Sequence, residues 1–408
     1  MTKAMIAYVS PLPPKRTGIA RYSHHLIKAL QDALAGSGTE LAIFDDAVEP
    51  CNDWQNDYRA EELFSLLFEA GRRRQYQQFI YHFGNSPDFH FTLLQLLREQ
   101  PGIVVLHDTV LFYLTTGRGA AELWRSLSHQ SHQNEVATMA AIREAAPGHD
   151  VAQYPHPEHY PGIDEILAQA TAVVVHSQLA ETRVREAGYT RAIYQVPLID
   201  YCQPSTVAIE QVENQAIKYL YAQQRDNNTF VIGVFGFAGQ TKRRQSILQA
   251  LAELPKDVQA RLKLLIIGVD IYQANVTALG LSELVVSTGY INDVDYDQAM
   301  ALCDIIINLR YPSMGETSAV QIQAMSAKKP TIVSNHAWFS ELPDNSVHKI
   351  GVGEAEVEGL KQAIGTLLND RDYRRQLGQA AQDHVREAHS PRRVAQQWLD
   401  IIGTNQAL

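Results

Sequence analysis

The sequence predicts an α/β protein built on parallel sheets, in two domains. Three observations predict it. Short apolar runs alternate with amphipathic stretches almost throughout. The runs are continuous rather than interleaved with polar residues, as in strands covered on both faces. The alternation pauses once, near 201–229, in a chain of 408 residues, which is length enough for two domains.

The elements follow in order. Ile6–Val9 reads as a buried strand, and Pro11, Pro13 and Pro14 after it as a rigid turn, not as a signal peptide. Ile19–Leu30 has apolar residues at Ile19, Tyr22, Leu26, Ile27 and Leu30, a helical spacing. Further strands are read at Leu41–Phe44, Gln78–His82, Ile103–Leu106 and Ala172–Val175. Residues 113–162 are less regular, rich in His, Gln and Ala, and end in Tyr154-Pro155-His156-Pro157-Glu158-His159-Tyr160-Pro161-Gly162. They predict one or two helices and a long loop added to the first half, either functional or a surface insertion. After Tyr201-Cys202-Gln203-Pro204-Ser205 and a polar helical stretch, a new series of strands begins at Phe230 and continues at Leu264–Ile267, Ile305–Leu309 and Thr331–Val333. This places one domain at 1–205 and a second at 206–388. A last helix within 389–408 has the choice of crossing back to the first half.

Composition narrows the class. Hydrophobic residues make up 45% and charged residues 20%, which excludes a disordered chain. With 35 basic and 45 acidic residues the formal charge is −10, which argues against a nucleic-acid partner. Cys51, Cys202 and Cys303 lack CxxC spacing and read as reduced cytoplasmic thiols. The 15 histidines show no HExxH or paired Cys/His spacing, so no metal is expected. No apolar run is long enough to cross a bilayer.

Ligands of open α/β sheets bind beyond the carboxyl ends of strands, so those junctions are the candidate sites. Pro14-Lys15-Arg16-Thr17-Gly18-Ile19 precedes a helix, where Gly18 permits close backbone approach to an anion. His107-Asp108 ends a strand; the pair is suited to a substrate hydroxyl, while the plainer reading makes Asp108 a helix cap. His82-Phe83-Gly84-Asn85-Ser86 ends another strand, where His82 and Asn85 are candidates to line the same cleft for an acceptor. Ser177, after His176, reads as a helix cap. In the second half, Phe235-Gly236-Phe237-Ala238-Gly239-Gln240-Thr241-Lys242-Arg243 opens a helix with two cations against its dipole, an arrangement that invites a phosphate. Arg310 and Gly315-Glu316-Thr317-Ser318 precede another helix, combining free backbone N–H groups for a diphosphate with a carboxylate for sugar hydroxyls. Thr317 or Ser318 as a plain N-cap is the alternative there.

These residues, with Thr288-Gly289-Tyr290-Ile291, resemble the retaining glycosyltransferases of family 4 (group 1). The resemblance implies a GT-B fold, two Rossmann-like domains facing each other across a deep cleft. It implies transfer of a hexosyl group from a UDP- or GDP-sugar to a hydroxyl of a glycan or lipid-linked acceptor, in surface-polysaccharide or glycoconjugate synthesis. In that scheme Gly18, Lys242, Arg243, Arg310, Thr317 and Ser318 meet the donor diphosphate. His107, Asp108, Lys242 and Glu316 are the catalytic candidates. Tyr290 and Ile291 meet the base, and Gln323 takes the place of a ribose-binding glutamate. Phe237 stands where the family usually has arginine, and Arg310 is the candidate replacement for its charge. An epimerase or phosphorylase on the same fold, or a non-catalytic nucleotide-binding module, remain as alternatives. Arg72-Arg73-Arg74 reads either as a contact for anionic lipid heads at the inner face of a membrane or as a solvated helix face.

Overall fold

The structure, a computed structural model, describes residues 4–46, 57–129, 134–202, 209–227, 229–236, 239–268 and 273–406. Phe237, Cys51 and the boundary expected between 205 and 206 lie outside the described residues. The chain forms two compact units. The first comprises Met1–Ile199, Met314–Thr317 and Pro391–Leu408; the second comprises Asp200–Ser313 and Ser318–Ser390.

In the first unit the strands are β1 (Ala4–Val9), β2 (Thr39–Asp45), β3 (Ala60–Glu62), β4 (Gln78–Phe83), β5 (Gly102–Leu106), β6 (Ala170–Val175) and β7 (Ile193–Gln195). They lie in the order β3-β2-β1-β4-β5-β6-β7, and the pairs are parallel. The second unit holds β8 (Phe230–Phe235), β9 (Leu262–Ile267), β10 (Val285–Gly289), β11 (Ile305–Asn308), β12 (Thr331–Ser334) and β13 (His348–Ile350). Their order is β10-β9-β8-β11-β12-β13, again parallel. In Rossmann terms this is 3-2-1-4-5-6. The order reverses between β1 and β4 in one sheet and between β8 and β11 in the other. Loops leaving those strands diverge to opposite faces, which opens a crevice at each switch point.

The central strands form because their apolar runs are buried on both faces: β4, β5, β8 and β12 are buried along their whole length. The helix Gly18–Leu34 starts at Thr17, whose hydroxyl caps it, and buries Tyr22, Leu26, Ile27 and Leu30 as the spacing predicts. The helix Pro391–Gln406 belongs to the first unit and packs on Gly18–Leu34, with Trp398 fully buried. The less regular stretch forms three helices, Phe112–Thr116, Ala120–Ser128 and Glu135–Ala145, one more than expected, then short 3-10 turns. They close over a small core of their own, which includes Phe112, Leu123, Leu127, Ile142 and Tyr154. Ser177 caps the helix Gln178–Glu186 through Ala180 N–H, 3.1 Å.

Candidate active site

In the first unit the candidate side chains cluster near the switch point. The end of β1 leads to Gly18, with open space beside its Cα for a ligand's approach. One turn into that helix, the Tyr22 ring meets His107 edge-on at 4.8 Å. His107, at the end of β5, also approaches His176 at 4.8 Å, and its Nε2 lies 3.1 Å from His82 Nδ1. Burial, with His176 and His82 nearby, holds the His107 imidazole well below its ordinary pKa, so it is neutral at pH 7. His82 is fully enclosed, so it touches His107 and no acceptor, a correction to its expected place on a cleft wall. Asn85 is likewise committed: its Oδ1 accepts from Tyr113 N–H at 2.8 Å and Leu114 N–H at 3.3 Å, capping the helix Phe112–Thr116. Asp108 Oδ2 accepts from Asn85 N–H at 3.1 Å, so it ties two strand ends together rather than capping a helix.

Met314–Thr317 belong to this unit. Met314 carbonyl accepts from Thr109 N–H at 2.9 Å and Val110 N–H at 3.0 Å. Gly315 adopts φ +83°, and a Cβ there would fall on the Thr109 side chain. Glu316 turns its Oε2 onto Met314 N–H, 2.7 Å, with the Arg183 guanidinium as an opposite charge. The Thr317 hydroxyl is buried and has no partner among the described residues.

In the second unit the loops after β8 and β11 meet at the other switch point, where Tyr311 N–H donates to Thr241 carbonyl at 2.8 Å. Gly236 adopts φ +93°, which a side chain rarely tolerates, and the Lys242 ammonium lies where its Cβ would be. Lys242 Nζ donates to Phe235 carbonyl at 3.3 Å, so the cation is held at the mouth of β8. Lys242 ends a 3-10 turn, Gln240–Lys242, and Arg243 is left-handed, φ +54°, just before the helix Arg244–Ala252. Both cations were expected at a helix start; the 3-10 turn intervenes. Arg243 Nε pairs with the buried Glu356 at 2.8 Å, and its guanidinium lies over the Tyr311 ring. Arg310 is buried, with Nη1 on Leu309 carbonyl at 2.9 Å.

Ser318 caps the helix Ala319–Ser326: its Oγ accepts from Gln321 N–H at 3.3 Å and from Asn308 Nδ2 at 3.0 Å. The Thr317 alternative for that cap is thereby settled in favour of Ser318. Gln323 is buried on the same helix, where its Oε1 accepts from the Tyr296 hydroxyl at 3.0 Å. Tyr290 is exposed and Ile291 half-buried, just past β10.

Sequence reasoning missed three residues here. Arg244, buried, donates to Gly236 carbonyl and so sets the loop; its signal was the third base in Lys242-Arg243-Arg244. Asn308 and Gln321 form a buried chain to Thr331 that pins the last helix to its strand. Polar residues inside otherwise apolar runs were the trace they left. Of the arginine run, Arg72 pairs with Glu61, Arg73 donates to Leu66 and Leu67 carbonyls, and Arg74 is exposed.

Two Rossmann-like units define the GT-B fold, and the chain has that fold. HepE of Anabaena, solved with UDP and glucose, superposes with a TM-score of 0.67 at 15% identity, over 98% of this chain and 100% of that one. Sucrose-phosphate synthase from Thermosynechococcus elongatus gives 0.64 at 16%, over 99% and 100%. Residues 219–384 match the family model of the glycosyl transferases group 1, the family that the sequence resembles. An uncharacterized glycosyltransferase of Methanocaldococcus jannaschii is 22% identical over 161 residues. That match spans 39% of this chain and 41% of the relative, less than half of either. Among the described residues no helix is long and apolar enough to cross a membrane.

Proposed function

We propose that the chain is a retaining glycosyltransferase that moves a hexosyl group from a UDP- or GDP-sugar to a hydroxyl of a glycan or lipid-linked acceptor. The observation that carries this reading is the loop pair at the second switch point. There Gly236 gives up its side-chain space to the Lys242 ammonium, within the stretch that matches group 1. A cation held at a strand mouth, beside the start of the Ala319–Ser326 helix on the next strand, is suited to a diphosphate.

In the reaction the bond from the anomeric carbon to the phosphate oxygen breaks, and its electron pair goes to the leaving diphosphate. The acceptor oxygen bonds to the same face of that carbon, and its proton passes to the departing phosphate. Lys242 and the helix start at Ser318 stabilise the charge that grows on the leaving group. These fixed charges serve in place of a divalent ion. Arg310 and Arg243 contribute at longer range, Arg243 with its charge already matched by Glu356. Gly18 admits the diphosphate and His107 meets the transferred sugar. Glu316 and Thr317 take sugar and phosphate oxygens. Tyr290 and Ile291 meet the base, and Gln323 the ribose. Asp108 positions the His107 end. With two of three arginines engaged in the fold, Arg72–Arg74 is read as a solvated face, and membrane contact is not part of the proposal.

One observation favours a second reading, a non-catalytic nucleotide-binding module: Gln323 is neutral and spends its carbonyl on Tyr296. Thermal shift against UDP, GDP, ADP, CMP and dTDP, with and without magnesium, separates the two. A selective ligand raises the melting temperature by linkage, about 2.7 kcal/mol at a hundredfold excess over Kd. One selective winner, insensitive to magnesium, lost in Lys242→Ala and followed by turnover of its sugar, supports the transferase. The same winner without turnover supports the module. No shift with any of the five refutes both.

A further inference from the structure

Three more histidines, His82, His90 and His176, surround His107 in the first unit, and their partners determine where protons reside. We propose that His82 is a positioning residue that locks His107 in the tautomer with its proton on Nδ1, so that the end of β5 offers an N–H donor to an oxygen of the bound sugar. The ligand in this statement rests on the donor-sugar reading above; the tautomer does not.

A neutral imidazole has one donor and one acceptor nitrogen. His90 Nδ1 lies 3.1 Å from the His82 carbonyl, so it donates and holds the His82 backbone. His82 Nδ1 and His107 Nε2 are 3.1 Å apart and share one proton, in one of two ways. If His107 donates, His82 carries its own proton on Nε2. That nitrogen is buried, 0% of the residue is exposed, and it has no partner among the described residues. The rings around it are Tyr8 at 4.6 Å, Tyr22 at 5.8 Å and Trp398 at 6.2 Å. The Trp398 indole only donates; the Tyr8 and Tyr22 hydroxyls can accept, but neither is within hydrogen-bond reach of His82 Nε2. An N–H pointed among them is an orphan donor, the costlier kind of buried polar group. If His82 donates instead, it shows those neighbours only a lone pair, and no N–H is left orphaned on its ring. His107 then accepts at Nε2 and carries its proton on Nδ1.

The other ring in contact agrees. His176 Nδ1 donates to Val196 carbonyl at 2.7 Å, which commits that nitrogen to the backbone and away from His107. Burial keeps His82 and His107 well below their ordinary pKa, which makes both neutral at pH 7. His107 is half-buried, and with Nε2 engaged its Nδ1 is the nitrogen left for a ligand. An orienting partner that fixes which nitrogen is protonated is a general device in histidine chemistry.

The test is a long-range proton–nitrogen spectrum of the full chain, labelled with ¹⁵N-histidine at neutral pH. The His107 signals are assigned by their loss in His107→Gln. The expected result is Nδ1 in the protonated range and Nε2 in the unprotonated range. The reverse pattern, or both nitrogens protonated, overturns the proposal. Two variants test the lock itself. His82→Asn keeps an amide donor near the Nδ1 position and preserves the His107 pattern; His82→Leu gives a tautomer mixture. An unchanged pattern in His82→Leu shows that His82 is not the lock, and if that variant does not fold, the wild-type spectrum still decides the tautomer. Titration with UDP-glucose then reads the ligand: a shift confined to His107 Nδ1 supports the donor role. An unmoved His107 in the presence of bound UDP-glucose overturns that role and leaves the tautomer standing.

Discussion

Replacing Arg243 by alanine separates two roles for this residue. Its Nε is 2.8 Å from Glu356 Oε1, and its guanidinium is 5.9 Å from the Tyr311 ring centre. Glu356 is 1% exposed, and its second oxygen is buried with no partner among the described residues. Removing Arg243 therefore leaves an enclosed carboxylate with nothing opposite it. Losing one partner of a fully buried pair costs about 3–5 kcal/mol. The Arg243 side chain is 31% exposed, so solvent screens part of this, and about 2–3 kcal/mol is expected. For a unit of this size that lowers the melting temperature by roughly 4–12 °C. The assay is thermal melting of wild type, Arg243→Ala, Glu356→Gln and the double variant, each with and without UDP. Arg243→Ala is expected to melt lowest. Adding Glu356→Gln recovers most of the loss, because an amide is cheaper than a carboxylate to bury unpaired. UDP affinity changes by less than about threefold, since the charge was already matched within the fold. The reasoning is refuted if Arg243→Ala melts like wild type while UDP affinity falls tenfold or more. That result would make Arg243 a diphosphate ligand, as the sequence resemblance implies, and Glu356 an incidental neighbour.

Gly315→Ala places a Cβ on the Thr109 side chain at φ +83°. A loss of about 2–4 kcal/mol is expected from strain and overpacking together, read as a lower urea midpoint, and an unchanged midpoint would show that the loop gives way freely. Trp398→Ala removes a fully buried indole from the first unit and is expected to cost about 3–5 kcal/mol, with an unchanged melting curve as the refuting result. Acid should destabilise the fold early. Burial lowers His25 to about 3 and His90 to about 4, and holds His82 and His107 well below the ordinary value. Unfolded histidine titrates near ~6.5, so below that pH the unfolded chain binds protons that the folded chain refuses. Stability is then full above ~6.5 and falls with pH by up to about 1.4 kcal/mol per unit for each histidine. Asp45, raised to about 6 by burial, acts in the opposite sense and offsets about one of them. Urea midpoints from pH 7.5 to 5 check this, and a flat or rising profile as pH falls would refute it.

The central strands of both sheets were legible in the sequence because they are buried on both faces, which forces continuous apolar runs such as Ile103–Leu106 and Val231–Phe235. The strands that were not legible are β3, β7, β10 and β13, and each is an edge strand. Ala60–Glu62 and Ile193–Gln195 are three residues long and only partly covered, so neither length nor apolarity marked them. Local chemistry was equally readable where it is short-range: Ser177 and Ser318 cap the helices that follow them, because a cap needs only its own next turn.

What the sequence determined by itself was thus the α/β class, the strand ends that carry polar groups, and a basic loop at Gly236–Arg243. Only the tertiary structure decided what those groups are free to do. Arg243 and Lys242 are adjacent in sequence, yet one is matched by Glu356, 113 residues away, and the other lies over Gly236. Asn85 and His82 end the strand paired with the one that His107 ends, yet one caps a helix and the other is sealed behind His107. The physical reason is that capping and periodicity act within one turn or one pleat. The partner of a charge, and the tautomer of a histidine, are set by which distant strands the sheet order makes neighbours.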